Sequence, residues 1–150
     1  MDLIPAHLLP LILALISGVL MAVQGSLNSS LSKVIGLWEA TFVVHVTGTA
    51  VLVIALFLLR VGRGDLLALT HAPWYTYLGG LAGVFIIYLV AASIPAVGVA
   101  NATTAIIVGQ VLTAVVIDHF GLFGLDRLSA GWSKAAGLLF LAVGAKLLLR

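Results

Sequence analysis

Charge is what this sequence has least of. Asp and Glu together number 5 and Lys and Arg 7 in 150 residues, or 8% of the chain, where a soluble domain carries about 25%. So little polar surface excludes soluble enzymes, nucleic-acid-binding proteins and disordered chains. The few cations (Lys33, Arg60, Arg63, Arg127, Lys134, Lys146 and Arg150) are scattered and form no basic patch. Cysteine is absent, which excludes disulfides and thiolate metal sites. The first ten residues contain no Lys or Arg, so the positive start of a secretory signal is missing and the apolar stretch behind it reads as mature structure. No Ser/His/Asp arrangement, phosphate-cradling glycine loop or metal-ligand spacing occurs, and neither catalysis nor a cofactor is expected.

What is present is apolar side chain. Hydrophobic residues make up 63% of the chain, against about 45–50% in soluble domains, which points to an integral membrane protein. A helix needs about 20 apolar residues to cross the hydrocarbon layer. Five such stretches are predicted, over residues 9–31, 37–59, 74–94, 97–119 and 130–149. Helices follow because lipid satisfies no backbone groups and the runs are too long for barrel strands. The reading is an all-α membrane protein with one five-helix domain over residues 1–150.

The predicted connectors are short. They are residues 32–36, residues 60–73, a tight Ile94-Pro95-Ala96 turn, and residues 121–129. Trp38, Trp74, Tyr75, Tyr77 and Trp132 fall near span ends, where amphipathic rings favour the interface. No internal repeat stands out. Five spans place Arg60, Arg63, Arg127 and Lys134 on the N-terminal side of the membrane and Lys33, Lys146 and Arg150 on the other. This near balance leaves two readings open. The long second loop holds the N-terminus in the cytoplasm, or copies insert both ways and pair antiparallel.

Polar residues inside a span are costly and mark cavities or bundle interiors. At about 1.5 Å rise per residue, Gln24, His45 and Gln110 fall near the midplane, while Asn28, Glu39 and Asn101 fall about 10–14 Å from it, toward the face opposite the N-terminus. Gln24 and Asn28, four apart, share a helix face with Ser17. Beside them runs a seam of small residues, Gly18, Ala22, Gly25 and Ser29, suited to close helix approach. The fourth span repeats the pattern with Gly98, Ala102, Ala105 and Gly109, and the third contributes Gly79 and Gly83. These glycines read as packing positions. The amides of Gln24 and Gln110 either bind a solute or hold helices together.

Glu39 is the only acid well separated from a loop. Low dielectric favours the protonated form of a carboxylic acid, which suits proton exchange. An acid in the first turn of a helix also complements the helix dipole, with no transport role. His45 lies deeper and suits substrate binding, proton relay or plain packing. Asp118-His119 closes the fourth span, where Asp118 is expected to fix the loop or pair with Arg127.

Two sets of residues carry a family resemblance. One is Gln24, Asn28, Leu31, Gly36, Glu39-Ala40, Phe42, His45 and Gly48. The other runs Tyr77-Leu-Gly-Gly-Leu-Ala-Gly-Val-Phe-Ile-Ile-Tyr88, Ile94-Pro95, Gly98, Gly109-Gln110, and Ile117-Asp118-His119-Phe120-Gly121-Leu122-Phe123-Gly124. Nearly the whole chain resembles the YdcZ-type family of the drug/metabolite transporter superfamily, related to EamA-like exporters. The resemblance implies a half-size transporter in the bacterial inner membrane, whose full-length relatives carry ten helices in two inverted halves. It implies a partner in opposite orientation, either a second copy or a similar five-helix protein. Such sites lie between inverted repeats near the midplane.

The leading expectation is a secondary transporter, or antiporter, of small metabolites or drugs. Gln24, Asn28, His45, Asn101 and Gln110 would bind the substrate, and Glu39 would carry the proton. A passive channel of dual topology and a non-transporting partner subunit are the competing readings.

Overall fold

The computed structural model describes residues 8–149, and it is helical throughout its ordered elements. Arg150 and the first seven residues, on which part of the charge balance and the signal reading rest, lie outside the described residues. The chain divides into two compact units, residues 1–96 and 97–150. The first holds α1 (Leu8–Ile35), α2 (Leu37–Val53) and nearly all of α3 (Leu78–Val97); the second holds α4 (Val99–Phe120) and α5 (Trp132–Leu148).

Helix α1 has 28 residues and outruns its predicted end by one turn. Pro10 is tolerated because it sits in the first turn, where a backbone N–H has no helical partner. The helix stops at Gly36, whose φ of 98° is open to glycine and strained for other residues. The Gly36 N–H still donates to the Ser32 carbonyl at 2.9 Å, and its own carbonyl accepts from Ala40 at 3.0 Å. One residue therefore ends α1 and starts α2, and the expected five-residue connector is absent.

Helix α2 loosens at its far end into a π-helical turn, Ile54–Leu58, where Leu59 N–H reaches back five residues to the Ile54 carbonyl at 2.9 Å. The loop beyond it is built rather than slack. Asp65 caps a 3-10 turn, Leu66–His71, by accepting from the Leu67 N–H at 2.8 Å, and the Tyr77 hydroxyl donates to the Leu69 carbonyl at 2.6 Å.

Pro95 makes no turn between the third and fourth spans: it lies inside α3. In the last turn of a helix a proline removes just one hydrogen bond, that to the carbonyl four residues back. The break falls instead at Gly98, with φ 84° and ψ 161°. Gly36 holds φ 98° and ψ 158°, and both glycines lead into the same sequence pattern. Leu37-Trp38-Glu39-Ala40-Thr41 follows the first and Val99-Ala100-Asn101-Ala102-Thr103 the second. Ala40 and Ala102 are buried, and their N–H groups donate to the Gly36 and Gly98 carbonyls, each at 3.0 Å. A short internal repeat thus exists at the joints, where sequence inspection found none.

Helices Leu8–Ile35 and Val99–Phe120, and the helical stretches Leu37–Leu58 and Trp74–Val97, are long and apolar enough to cross a membrane. Helix α5 has 17 residues, about 25 Å at the usual rise, and begins two residues later than expected, after Gly131. Among the described residues the buried apolar positions are all alanines, Ala40, Ala91, Ala102 and Ala145, and no large side chain is fully buried. Leucine, valine and phenylalanine point outward. This is the packing expected in lipid, where small residues let helices approach and large apolar ones need no protein cover.

Candidate functional site

The first unit holds four of the expected polar residues. Asn28 is 7% exposed, yet its amide makes no hydrogen bond within the described residues. No sealed side-chain nitrogen or oxygen among them lacks a partner, so the tip of Asn28 must open onto accessible space. Gln24, one turn earlier on α1, is exposed instead of buried beside it. The shared face therefore turns one amide inward and leaves the other at the surface.

Glu39 is the third residue of α2 and is exposed. Its carboxylate folds back over Gly36, where any added Cβ would collide with it. An acid in that position complements the positive end of the helix dipole. It has no hydrogen bond or ion pair among the described residues, and Lys33 in the last turn of α1 does not reach it. Next to it, Thr41 is 3% exposed, and its hydroxyl donates to the Leu37 carbonyl at 2.8 Å.

His45 is half-buried, with Nδ1 2.8 Å from the Thr41 carbonyl. Its Nε2 lies 3.8 Å from where a Gly83 Cβ would stand. Seven residues earlier on α2, Trp38 stacks on Tyr88 of α3 with ring centroids 4.5 Å apart. Advancing along α2 moves the contact backward along α3, so the two helices run antiparallel.

Helix α1 meets α3 elsewhere. A Cβ on Gly25 would stand 2.9 Å from Val90 Cγ1 and 3.2 Å from Ile94 Cδ1, about two to three turns beyond Gly83. Gly25, beside Gln24, and His45 therefore meet α3 at different levels. Gly25 and Gly83 thus face neighbouring helices. An added Cβ at Gly18, Gly79, Gly98 or Gly109 would meet nothing within 4 Å.

In the second unit, Asn101 is half-buried in the first turn of α4, and Gln110 is exposed farther along it. The Asp118–Gly124 stretch builds the loop to α5. Asp118 pairs with Lys134, not with Arg127, at 3.2 Å. Arg127 Nε donates to the His119 carbonyl at 2.9 Å, and Leu128 N–H donates to the Asp118 carbonyl at 2.8 Å. His119 Nδ1 accepts from the Ala130 N–H at 3.2 Å. Gly121, at φ 61°, closes α4 in the left-handed conformation that glycine provides at helix ends. Asp118 and His119 are thereby absorbed in holding a loop. Among the described residues no group of three or more acids and histidines is placed to hold a metal ion.

Sequence reading missed three features of the first unit: buried Thr41, the Trp38–Tyr88 stack, and the opposition of His45 and Gly83. The last two depend on the α2–α3 register, which span prediction does not provide. The spacing of Thr41 four residues before His45 was the one local signal available.

The family described as "Putative inner membrane exporter, YdcZ" matches residues 9–147. No curated protein and no solved structure matches the chain. The chain belongs to the YdcZ family and is a multi-pass inner-membrane transporter.

Proposed function

We propose that the protein is a proton-coupled secondary transporter of small metabolites or drugs, working as an antiparallel pair of five-helix chains. The fifth helix is α5, whose 17 residues span the bilayer with local thinning of the lipid and snorkelling of Lys146. The partner is a second copy or a similar five-helix protein.

One observation carries this reading: Gln24, Glu39 and Gln110 stand exposed on helices that lie in lipid. Lipid cannot satisfy an amide or a carboxylate, and such groups face protein or a water-filled cavity. A second chain supplies both cover and a pathway. Asn28 supports the same reading, because a buried amide without a partner is costly unless a solute or water bonds to it. In this reading Gln24, Asn28, His45, Asn101 and Gln110 are the substrate-binding residues, and Glu39 exchanges the proton.

The test is flux in proteoliposomes against a panel of small metabolites and organic cations, with and without a pH gradient. Saturable, pH-dependent flux is expected, and Glu39→Gln should lose the pH dependence while remaining folded. Flux linear in substrate and indifferent to pH would overturn the reading.

A further inference from the structure

We propose that His45 is a proton-binding site within the membrane-spanning part of α2, and that Nε2 is the atom that takes up and releases the proton. A carbonyl oxygen only accepts hydrogen bonds, so the 2.8 Å contact between His45 Nδ1 and the Thr41 carbonyl requires a proton on Nδ1. In the neutral ring Nε2 then bears the lone pair. That nitrogen has no hydrogen bond among the described residues. Because no sealed polar side-chain atom there lacks a partner, Nε2 opens onto accessible space.

Gly83 faces the ring, with space for a methyl group between them. The imidazole stands against bare backbone of α3, at ordinary contact distance from where a Cβ would be. One ring nitrogen is thus held by backbone and the other is open.

No charged side chain pairs with the ring among the described residues. Helix α3 carries no Asp, Glu, Lys, Arg or His, and its one tyrosine, Tyr88, is stacked on Trp38. Helix α1 offers Lys33 alone, in its last turn, and α2 offers Glu39, in its first. Neither forms an ion pair with His45. With Nδ1 tied to the backbone, the ring changes function without turning. Neutral His45 presents an acceptor at Nε2, and protonated His45 presents a donor at the same point. A solute or water held there would be gripped in opposite polarity in the two states. For its use in transport this inference rests on the proposed proton coupling, to which it adds a second proton site beside Glu39.

The experiment reads the imidazole nitrogens by NMR. The full chain, labelled with ¹⁵N-histidine, is placed in lipid nanodiscs and titrated without substrate from about pH 9 to about pH 5, the range in which histidine changes charge. Replacing His7, His71 and His119 by Gln leaves His45 as the sole imidazole and assigns its signals without touching it. The expected result is a protonated Nδ1 and a bare Nε2 at the high-pH end, with Nε2 protonating reversibly as pH falls. Gly83→Leu should fill the slot and shift or abolish this titration, while Gly83→Ala should retain it. A bare Nδ1 with a protonated Nε2 at high pH, or no change of protonation across the range, would overturn the proposal. The readout is independent of flux. A titrating His45 in a protein that moves nothing keeps the proton site and defeats the transport reading, and pH-driven flux with a silent His45 does the reverse.

Discussion

Gly36 and Gly98 hold nearly the same backbone conformation, φ 98° and ψ 158° in one and φ 84° and ψ 161° in the other. Each leads into a helix through two residues, a polar side chain (Glu39 or Asn101), a buried alanine and a threonine. The chain thus makes its one-residue joints twice by the same device. Residues other than glycine are strained at these angles by about 1–3 kcal/mol. Gly98→Ala and Gly36→Ala should each destabilise the protein by about that amount, since the exposed Glu39 carboxylate can swing aside from a new Cβ at Gly36. Thermal or denaturant unfolding in detergent checks the size of the loss. Equal stability of wild type and Gly36→Ala would show that the joint is not built as described.

The small-residue seam on α1 divides into two kinds of position. Gly25 is already in contact distance of Val90 and Ile94, whereas Gly18 has open space around it. Gly25→Val should therefore overpack the α1–α3 contact and cost about 1–3 kcal/mol. Gly18→Val should leave the fold of the single chain unchanged. If a partner chain covers that stretch of α1, Gly18→Val should weaken pairing instead. Unfolding and self-association, measured on both variants in detergent, separate the two effects.

The loop between α4 and α5 draws its order more from backbone conformation than from its ion pair. Asp118 and Lys134 are 39% and 34% exposed at the side chain, and a pair open to solvent contributes at most about 1 kcal/mol. Gly121 sits at φ 61°, with the Leu125 carbonyl 3.0 Å from where a Cβ would lie. Asp118→Asn is accordingly expected to be mild and Gly121→Ala to cost about 1–3 kcal/mol. Protease sensitivity of the loop should rise with Gly121→Ala and change little with Asp118→Asn; the opposite order would overturn this division.

Much of the architecture is legible from hydrophobic run length alone, because a bilayer demands long apolar helices and offers little choice of fold. The errors were local and have physical causes. Pro95 reads as a helix breaker, yet a proline in a last turn loses one bond and the helix runs on to Val97. Gly98 reads as a packing glycine and Gly36 as the end of a connector, although it is their positive φ that demands glycine. Asp118 was expected to choose between loop duty and Arg127, and it reaches Lys134 in α5, a choice set by tertiary structure. The polar residues were found because polarity in a span is conspicuous. Their grouping was not, since run length does not give the register in which Gly25, beside Gln24, and His45 meet α3. Burial separated Asn28 from Gln24 for the same reason: a shared helical face does not fix where the neighbouring helix ends.

The central claim is that the polar side chains left exposed on these spans are covered by a second protein chain. Counting chains by single-molecule photobleaching of labelled protein, diluted in lipid bilayers, tests it most directly. Two chains per particle are expected, and Gln24→Leu with Gln110→Leu should lower the paired fraction. Interhelical polar bonds in membranes are worth about 0.6–2 kcal/mol, so each lost bond should weaken pairing about 3- to 30-fold. A single chain per particle at densities where the same bilayers support saturable transport would contradict the account.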